Sequence, residues 1–396
     1  MKILKTGQKV TVVIPTRERP ETLKFTIQTA LNQIYPNLCV LISDNFSGPE
    51  TKSVVDGFVD ERLQYVNTGS RVNMSHNFEF ALSHITEGWI VVIGDDDGLL
   101  PNSIGPVIAQ LEASGLLALS SETCHYRWPE ADPKMNGIMS VPFGKKTFKV
   151  NATDAIELLM DWKVSSFLLP AFYTGRIIHA DVLNRIRDID GAFFQSQVPD
   201  IYSSFAICSV IDEYLFSKKP FAVSGTSKTS NGVALFRLEK TAFLDEANIP
   251  FHHDLPMPEF GTLMFSMPAI VCECLLQSAH LRQKKLEISH QHMLELILAE
   301  TYPGRDLLNE WAVEFARMHQ LDLAAAKYNA DHPPLLRRIA KLKMALTNRF
   351  SRYRTGGPYR RPISDVSEAC IQAGELINSR PSLLLNHIIS LKRLVN

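Results

Sequence analysis

The sequence has few cysteines for its length and places them without a pattern. Six cysteines are spread over 396 residues, and only Cys272 and Cys274 lie close together, as C-x-C. No second pair completes a zinc-site spacing, and a chain of this length buries enough surface to fold without cross-links. The spacing excludes a disulfide scaffold and predicts a reducing compartment.

Long apolar runs and an excess of one charge are also missing. The longest apolar stretch, Leu263–Leu276, contains Glu273 and is shorter than the roughly 20 residues of a membrane span. The apolar residues after Lys2 and Lys5 pass directly into a predicted strand, so no signal peptide is expected. With a net charge of -1, the surface is not built for nucleic acid. We therefore expect a cytoplasmic, multi-domain protein.

The first 120 residues alternate β-branched apolar runs with helical spacing. The runs Val10–Ile14, Leu38–Ile42 and Trp89–Ile93 are continuous, which is typical of strands covered on both faces. Helical spacing follows in Pro20–Gln33 and Met74–Ile85. This order predicts an α/β fold with a mostly parallel sheet and helices on both faces. Further helices are predicted over 176–189 and 200–217, and almost throughout the chain after residue 261.

Three consecutive carboxylates, Asp95-Asp96-Asp97, follow the apolar run Trp89–Ile93. Ligands of open α/β sheets bind outside the carboxyl ends of the strands. Adjacent carboxylates repel one another unless a cation lies among them, and such oxygen ligands suit Mg²⁺ or Mn²⁺. The alternative is a solvated turn in which Asp96 or Asp97 caps the helix near Pro101. No G-x-G-x-x-G or G-x-x-x-x-G-K-[ST] is present, which argues against dinucleotide-binding and P-loop proteins.

Four segments in this order resemble the family-2 glycosyltransferases, which have the GT-A fold, a Rossmann-like fold of nucleotide-diphospho-sugar transferases. They are VTVVIPTRERP (Val10–Pro20), ISDNFS (Ile42–Ser47), NTGSRVNMSHNFEFALSHI (Asn67–Ile85) and EGWIVVIGDDDGLLP (Glu87–Pro101). The resemblance covers about 1–106 and continues less clearly to about 232. It implies a nucleotide-sugar-binding half at 1–125, an acceptor-side, catalytic half at 126–260, and an added helical C-terminal region at 261–396.

The resemblance implies a set of residues that contact the nucleotide sugar. The loop after the first strand wraps the nucleotide, the aspartate at the end of the second contacts the base or ribose, and a later segment closes over the nucleotide. The matching residues are Pro15, Thr16, Arg17 and Glu18 in the loop, then Asp44, and then Arg71 and Asn77.

The triplet matches the D-x-D motif of the family, which holds a divalent cation, Mn²⁺ or Mg²⁺, against the diphosphate. Counted back from Pro101, the first aspartate of the family falls on Gly94. This shift makes Asp96 the expected direct metal ligand, with Asp97 as a second ligand and Asp95 facing the nucleotide sugar.

The activity implied is transfer of a sugar, with inversion, to a hydroxyl of a polysaccharide or a lipid-linked glycan. The acceptor hydroxyl must lose its proton, which requires a general base. Asp200 follows Val198-Pro199 at a helix start and matches the carboxylate that family members carry after the acceptor-side linker. The equally strong alternative is a helix cap or first-turn residue. Asp190, Asp212 and Glu213 are weaker substitutes.

Three further features leave alternatives open. The segment Gly225–Gly232 offers Ser227, Lys228, Ser230 and Asn231 to a substrate, or is a plain surface loop. His252-His253-Asp254 offers imidazoles to a metal, although lone histidines are more often structural. The segment Leu335–Arg361 has nine Lys/Arg and no acidic residue. It predicts a basic amphipathic helix that lies on an anionic membrane at the inner face of the cell membrane, or one that packs on the core with a solvated basic face.

Two other functions remain as alternatives to sugar transfer. A nucleotidyltransferase acting on a sugar phosphate would use the same sheet and metal carboxylates, but would release pyrophosphate. A non-catalytic, glycosyltransferase-like scaffold would keep its role after loss of Asp96 or Asp200.

Overall fold

The structure of the chain is a computed structural model. It describes residues 7–129, 131, 136–230, 249–255, 266–282, 284, 286, 288–299, 305–333, 335, 338, 339, 342, 352–356 and 362–379.

The N-terminal part follows the predicted alternation of strands and helices. Continuous apolar runs form the strands, and Pro20 and Pro49 each occupy the first turn of a helix, where a missing N–H costs nothing. The elements are β1 (Val10–Thr16), α1 (Pro20–Leu31), β2 (Leu38–Asp44), α2 (Pro49–Asp56), β3 (Leu63–Asn67), α3 (Met74–Ser83), β4 (Trp89–Val92), β5 (Gly98–Leu99) and α4 (Ile104–Ser114).

The middle of the chain adds strands to both sides of the molecule. Its elements are β6 (Ala118–Ser121), β7 (Cys124–Arg127), β8 (Ile138–Pro142), β9 (Thr147–Asn151), α5 (Ala152–Met160), β10 (Arg176–His179), α6 (Ala180–Asp190), α7 (Pro199–Val210), β11 (Glu213–Ser217) and β12 (Ala222–Thr226).

An eight-stranded sheet has the order β3-β2-β1-β4-β10-β6-β11-β9. The first four strands are parallel, and β10 runs antiparallel to both of its neighbours. Along β1, Val12 and Ile14 pack into one apolar cluster and Val13 into another, so both faces of the sheet are covered. The predicted α/β class with a mostly parallel sheet is confirmed. In this register Thr16 lies opposite Asp44, and Asp44 opposite Asn67, which brings polar residues to one sheet edge.

A second sheet has the order β13-β8-β7-β12-β5, in which β13 is the C-terminal strand Arg352–Gly356. Its strand β5 begins directly after the acidic triplet and pairs with β12, with Val223 opposite Gly98. Because of this pairing, the segment that follows β12 passes over the triplet. The second sheet therefore decides what covers the three carboxylates.

Two helices predicted from the sequence are partly wrong. The segment 176–189 begins as strand β10 and becomes helical only at Ala180, and the segment 200–217 ends as strand β11. Apolar residues in both segments fit a helical period. Pairing of Ile178 with Ile90 and of Leu215 with Leu119 decides in favour of strands, because these pairs complete the central sheet.

The C-terminal region is largely helical among its described residues, as predicted. It contains α8 (Met267–Gln277), α9 (His290–Leu298), α10 (Arg305–His319), α11 (Leu323–Asp331), β13 (Arg352–Gly356) and α12 (Val366–Asn378). Strand β13 pairs with β8 inside the segment predicted as a basic helix, so for 352–356 that prediction is wrong. Helix α12 returns to α1 and β5, where the Cys370 thiol lies against Gly98. The division of the chain at 125 and 260 stays a prediction.

None of the helices in the described part of the chain is long and apolar enough to cross a membrane.

Candidate functional site

Asp44 lies at the carboxyl end of β2 and is almost fully buried, with 1% of its surface exposed. Its carboxylate accepts hydrogen bonds from the Tyr65 hydroxyl at 2.6 Å, from the Asn67 side chain at 3.1 Å and from the backbone N–H of Ser47 at 3.1 Å. Burial, together with the hydrogen bond to Asp44, raises the pKa of Tyr65 to about 12. The three donors hold the carboxylate at the sheet edge.

Glu18 and Arg71 meet over the same edge. The Arg71 guanidinium donates to Glu18 at 2.7 Å, and both side chains are about half exposed. The other Glu18 oxygen accepts from the backbone N–H of Gly48 at 3.2 Å, and Glu18 itself has a positive φ of 52°. An exposed pair of this kind stabilises the fold by under about 1 kcal/mol. Exchange of Glu18 for an anionic ligand at Arg71 would therefore cost little free energy.

The other residues expected to contact the nucleotide lie near this edge. Pro15 and Arg17 are half-buried at the end of β1, with Pro15 opposite Ser43. Asn77 is buried, and it accepts from the Ser43 hydroxyl at 2.8 Å and donates to the Ser43 carbonyl at 3.4 Å. Asn77 thus fastens α3 to the end of β2, and the nucleotide contact expected of it stays a prediction.

Asp95 is buried, and its carboxylate is held by two side chains at and just after the end of β1. The Thr16 hydroxyl donates to it at 2.8 Å, and the Arg19 guanidinium donates at 2.9 Å. Burial raises the pKa of Asp95, and the Arg19 charge opposes that rise. These two contacts attach the loop after β1 to the triplet.

Asp96 is enclosed by the loop after β12. One carboxylate oxygen accepts from the Ser227 N–H at 3.2 Å, from the Ser227 hydroxyl at 2.7 Å and from the Ser230 hydroxyl at 2.6 Å. Three donors are typical of a carboxylate whose charge is compensated by hydrogen bonds. The loop is therefore placed on the triplet rather than free at the surface, with Asn231 outside the described residues.

Gly225 allows this close approach. A Cβ built on Gly225 would lie 1.9 Å from the carbonyl oxygen of Asp96, and the Gly225 N–H donates to Asp97 at 2.6 Å. The indole N–H of Trp128 donates to the same Asp96 carbonyl at 2.9 Å. Only glycine fits between the triplet and the end of β12.

Asp97 is the most enclosed member of the triplet, with no exposed surface. Its carboxylate accepts from the Gly94 N–H at 2.9 Å, from the Gly225 N–H and from the Thr174 hydroxyl. Burial, followed by the charge of Asp96, raises the pKa of Asp97 to about 7. Because these donors already occupy both oxygens, direct metal binding by Asp97 stays a prediction that requires their release.

Tyr173 and Arg176 connect the triplet with Asp200. The charge of Asp97, burial, and the charges of Asp200 and Asp96 together raise the pKa of the Tyr173 hydroxyl well above its ordinary value. All three carboxylates therefore act on one phenol. Arg176 is buried, which lowers its pKa to about 10, while Tyr173 and Asp200 oppose that change.

Asp200 lies in the first turn of α7, entered through Pro199, and is half-buried. One carboxylate oxygen, Oδ1, accepts from the Ile201 N–H at 2.9 Å. Burial raises the pKa of Asp200, and that hydrogen bond and the Arg176 charge limit the rise. The weaker substitutes are placed differently, since Asp212 and Glu213 are exposed and Asp190 contacts His280 at 2.8 Å.

Several residues of this site carried no signal in the sequence. Arg19 and Thr26 lie in or beside the first quoted segment, but their contacts with Asp95 and Asp97 depend on how α1 packs. Tyr173, Thr174 and Arg176 lie in a stretch without a motif. Tyr173 and Thr174 reach the triplet, and Arg176 reaches Asp200, because β10 inserts next to β4.

The fold and this site define the class of protein. A mostly parallel sheet with both faces covered and with buried polar residues at the carboxyl ends of its strands is an α/β domain of the ligand-binding type. Residues 11–155, just over a third of the chain, match the model of the family described as Glycosyl transferase family 2. These residues match the domain of that family, and with the observed sheet the predicted GT-A fold is confirmed.

Known proteins similar to this chain agree with that family. Over 103 residues it is 28% identical to the GalNAc(5)-diNAcBac-PP-undecaprenol beta-1,3-glucosyltransferase of Campylobacter jejuni, a match that covers 25% of this chain and 33% of that protein. The chain thus spans a third of the length of this curated relative.

Two solved structures share its outline more loosely. TarS of S. aureus with UDP-GlcNAc has a TM-score of 0.46 and 11% identity, covering 82% of this chain and 92% of that one. The mannosyltransferase PcManGT of Pyrobaculum calidifontis with GDP-Man and Mn²⁺ has a TM-score of 0.42 and 17% identity, covering 95% and 88%. Likenesses at this level carry no weight for the function.

Proposed function

We propose that the chain is a glycosyltransferase that moves a sugar from a nucleotide-diphosphate sugar to a hydroxyl of a polysaccharide or lipid-linked glycan. The observation that supports this proposal is that one short segment links the triplet with the helix that carries Asp200. The Thr174 hydroxyl donates to Asp97, and the Phe172 N–H donates to the Ser203 hydroxyl of α7 at 3.0 Å. Sugar transfer requires a general base near the donor site. The family match of residues 11–155 supports the same reaction.

The nucleotide is proposed to bind at the edge formed by β1 and β2. Asp44 would accept hydrogen bonds from the base or ribose, and Pro15, Thr16 and Arg17 would line the loop beside them. Arg71, held only by the exposed Glu18, would turn to the diphosphate when the nucleotide binds.

The carboxylates of the triplet would suit a divalent cation once the donors that now hold Asp96 and Asp97 are released. Burial, and then the charge of Asp96, raises the pKa of Asp97. Burial and the same charge also raise the pKa of Asp95, against the charge of Arg19, so the ionised carboxylates destabilise one another. Asp96 would be the main metal ligand and Asp97 the second, with Asp95 next to them facing the nucleotide sugar. When bound, Mn²⁺ or Mg²⁺ would neutralise charge on the departing diphosphate as a Lewis acid. The loop through Ser227 and Ser230 contacts the same carboxylate and would shift when the site is loaded.

Asp200 is proposed as the general base. Its Oδ1 is held by the Ile201 N–H, which leaves Oδ2 to take the proton of the acceptor hydroxyl. The acceptor oxygen then bonds to the anomeric carbon as the bond from that carbon to the diphosphate oxygen breaks, and the electron pair leaves with the diphosphate. Attack from the face opposite the leaving group inverts the anomeric centre.

Asp200→Asn tests the base. Loss of a general base lowers kcat about 10²–10⁴-fold while leaving the affinity for the nucleotide unchanged. The measurement is release of a nucleoside diphosphate from a panel of nucleotide sugars, with membrane lipid extracts as acceptor. Asp212→Asn, at an exposed position close to α7, is the matched control and should keep full activity. Equal activity of the two variants would refute the role of Asp200, and release of pyrophosphate would favour a nucleotidyltransferase.

Metal use is tested by thermal shift with nucleoside diphosphates in the presence of Mn²⁺, Mg²⁺ or EDTA. A ligand at 100 times its Kd adds about 2.7 kcal/mol of stability, which raises Tm by several degrees. The shift should disappear in EDTA and in Asp96→Asn. No shift with any nucleotide would contradict the proposed donor site.

The acceptor is proposed to reach the enzyme at an anionic membrane surface, through the segment 335–361, from the cytoplasmic side. Leu335, Ile339 and Leu342 are 68%, 38% and 60% exposed, and their spacing places them on one helical face beside basic residues. The lipid-linked glycan in the name of the C. jejuni relative supports this class of acceptor. Arg352 does not contribute, since it donates to Glu122 at 2.8 Å.

The triple substitution Leu335→Ser, Ile339→Ser and Leu342→Ser tests this contact. The triple substitution should lower the fraction of protein that sediments with vesicles containing anionic lipid, because the apolar face that would insert into the membrane is lost. Val59→Ser, at a fully exposed apolar residue on another part of the surface, is the control. Equal binding of all three proteins to vesicles would refute the membrane contact.

A further inference from the structure

An exposed aromatic side chain lies at the edge proposed for the nucleotide. Phe46 follows β2, two residues after Asp44, and 50% of its surface is exposed. It belongs to none of the three apolar clusters formed by the described residues. Single exposed apolar residues are common on protein surfaces, so the backbone of Phe46 is the more informative feature.

The backbone of Phe46 has a conformation that phenylalanine rarely adopts. Its φ is 53°, in the left-handed region where the Cβ of a side chain crowds the carbonyl oxygen that follows it. Glycine adopts this φ without strain, and asparagine tolerates it. A bulky residue persists there only when the surrounding structure fixes it, and such residues cluster at ligand-binding sites.

Hydrogen bonds on both sides of this phenylalanine fix the loop after β2. The Asn45 N–H donates to the Thr16 carbonyl at 3.0 Å, and the Asn45 side chain exchanges two hydrogen bonds with the Val72 backbone, at 2.7 and 2.9 Å. The Ser47 hydroxyl accepts from the Glu18 N–H at 2.8 Å. The loop is therefore attached both to the end of β1 and to the segment before α3.

The other aromatic ring at this edge is already engaged. The Tyr65 hydroxyl donates to Asp44 at 2.6 Å, and the Lys52 ammonium lies over the Tyr65 ring, 5.2 Å from its centroid. The segments 15–19 and 67–77, which carry the other residues assigned to the nucleotide, contain no Phe, Tyr or Trp. Among these segments the loop after β2 thus supplies the ring with the accessible face.

The position of this ring suits a nucleobase. Two residues of chain span at most about 7 Å, so a base held near Asp44 lies within reach of the Phe46 side chain. Every nucleobase has a π face that stacks on an aromatic side chain. Asp44 offers hydrogen-bond acceptors at the same edge, and Arg71 offers a guanidinium to the diphosphate.

We propose that Phe46 is the stacking surface for the base of the nucleotide sugar. This inference rests on the proposed function, because it requires the nucleotide to bind at the edge formed by β1 and β2. Stacking is sequence-tolerant, so Phe46 would contribute affinity for any base. The contact is equal in the ground state and the transition state, so it should act on KM and not on kcat.

Phe46→Asn tests the ring, because asparagine tolerates the left-handed backbone and has no aromatic face. The Kd of uridine, guanosine and thymidine diphosphates for the full chain is measured by isothermal titration calorimetry with Mn²⁺ present. The diphosphate that the natural protein binds should bind about 5- to 150-fold more weakly to the variant. Inorganic pyrophosphate has no base, so its affinity should not change. Phe46→Tyr keeps the ring and should bind as the natural protein does.

The matched control is Phe148→Asn. Phe148 is also an exposed phenylalanine, at 42%, and lies on β9 at the opposite end of the eight-stranded sheet from β3. Equal diphosphate affinity of Phe46→Asn and the control would refute the stacking surface. An equal loss for pyrophosphate would also refute it, since the loop and not the ring would then matter. If the natural protein binds no nucleoside diphosphate, the proposed function fails together with this inference.

Fluorescence of Phe46→Trp provides a second readout. A base stacked on the introduced indole should quench its emission, measured as the difference from the natural protein, whereas pyrophosphate should not. Phe148→Trp is the control and should show no quenching by either ligand. With a nucleotide sugar, Phe46→Asn should raise KM and leave kcat unchanged. A lower kcat at unchanged KM, or no quenching of Phe46→Trp by a bound nucleotide, would overturn the proposal.

Discussion

Gly225→Ala puts the packing of the triplet to a direct test. The methyl group would lie 1.9 Å from the carbonyl oxygen of Asp96 and 2.9 Å from Nε1 of Trp128, and the first of these neighbours is backbone that cannot rotate away. Either the end of β12 or the triplet must move. Moving β12 also lengthens the 2.6 Å hydrogen bond from the Gly225 N–H to the buried Asp97.

The expected loss is the sum of two effects. Overpacking of a tightly packed site costs about 1–3 kcal/mol. Weakening a hydrogen bond to a buried carboxylate costs about 1.5–3 kcal/mol more. We therefore expect Gly225→Ala to lower the free energy of unfolding by about 2.5–6 kcal/mol, measured by urea titration with two spectroscopic probes.

The control is Gly105→Ala in α4. A Cβ at this position would meet only Tyr35, at 3.9 Å, and alanine favours a helix over glycine by up to about 1 kcal/mol. Gly105→Ala should therefore be neutral or stabilising. If Gly225→Ala is within 1 kcal/mol of the natural protein and keeps the metal-dependent nucleotide shift, then β12 does not constrain the triplet in the way described.

Two further predictions concern charges near the site. Burial, followed by the charge of Arg352, lowers the pKa of His125 to about 3 from an ordinary 6.5. The unfolded chain therefore binds the extra proton first, so stability is lost as the pH falls from about 6.5 towards 3, by up to about 1.4 kcal/mol per pH unit. His125→Gln should flatten the urea-derived stability between pH 7.5 and 5, and an unchanged slope would count against a buried neutral histidine. Arg19→Met leaves the carboxylate of Asp95 buried without its ion pair and should cost about 3–5 kcal/mol, most of it recovered by adding Asp95→Asn. If the two substitutions are additive, the pair is not coupled.

The parallel half of the sheet could be predicted because its signals are local. Runs such as Val10–Ile14 are apolar at every position, which only strands buried on both faces need. The carboxyl ends of parallel strands share one sheet edge, so the expectation that Thr16, Asp44 and the triplet meet there followed from the alternation of elements. The family resemblance then gave these positions their proposed roles.

The antiparallel strands could not be predicted in the same way. The apolar residues of 176–189 fit a helix, and the four residues of β10 became a strand only because β4 and β6 offered unpaired backbone on both sides. Short strands such as β7 and β8 are specified by their partners rather than by their own sequence. Tyr173, Thr174 and Arg176 belong to this part of the chain, which is why no motif pointed to them.

The sequence by itself determined the α/β class, the position of the acidic triplet at a strand end and the polar residues that follow β1 and β2. These depend on hydrophobic periodicity and on chain direction, which neighbouring residues encode. Only the tertiary structure decided which donor binds each carboxylate oxygen of the triplet. It also decided that the end of β12 packs against the triplet at Gly225, and that Asp254 contacts histidines from two later helices. Asp254 and His290 are 36 positions apart in the sequence, and Asp96 and Ser227 are 131 apart. The geometry of such contacts is set by packing, which no local sequence pattern records.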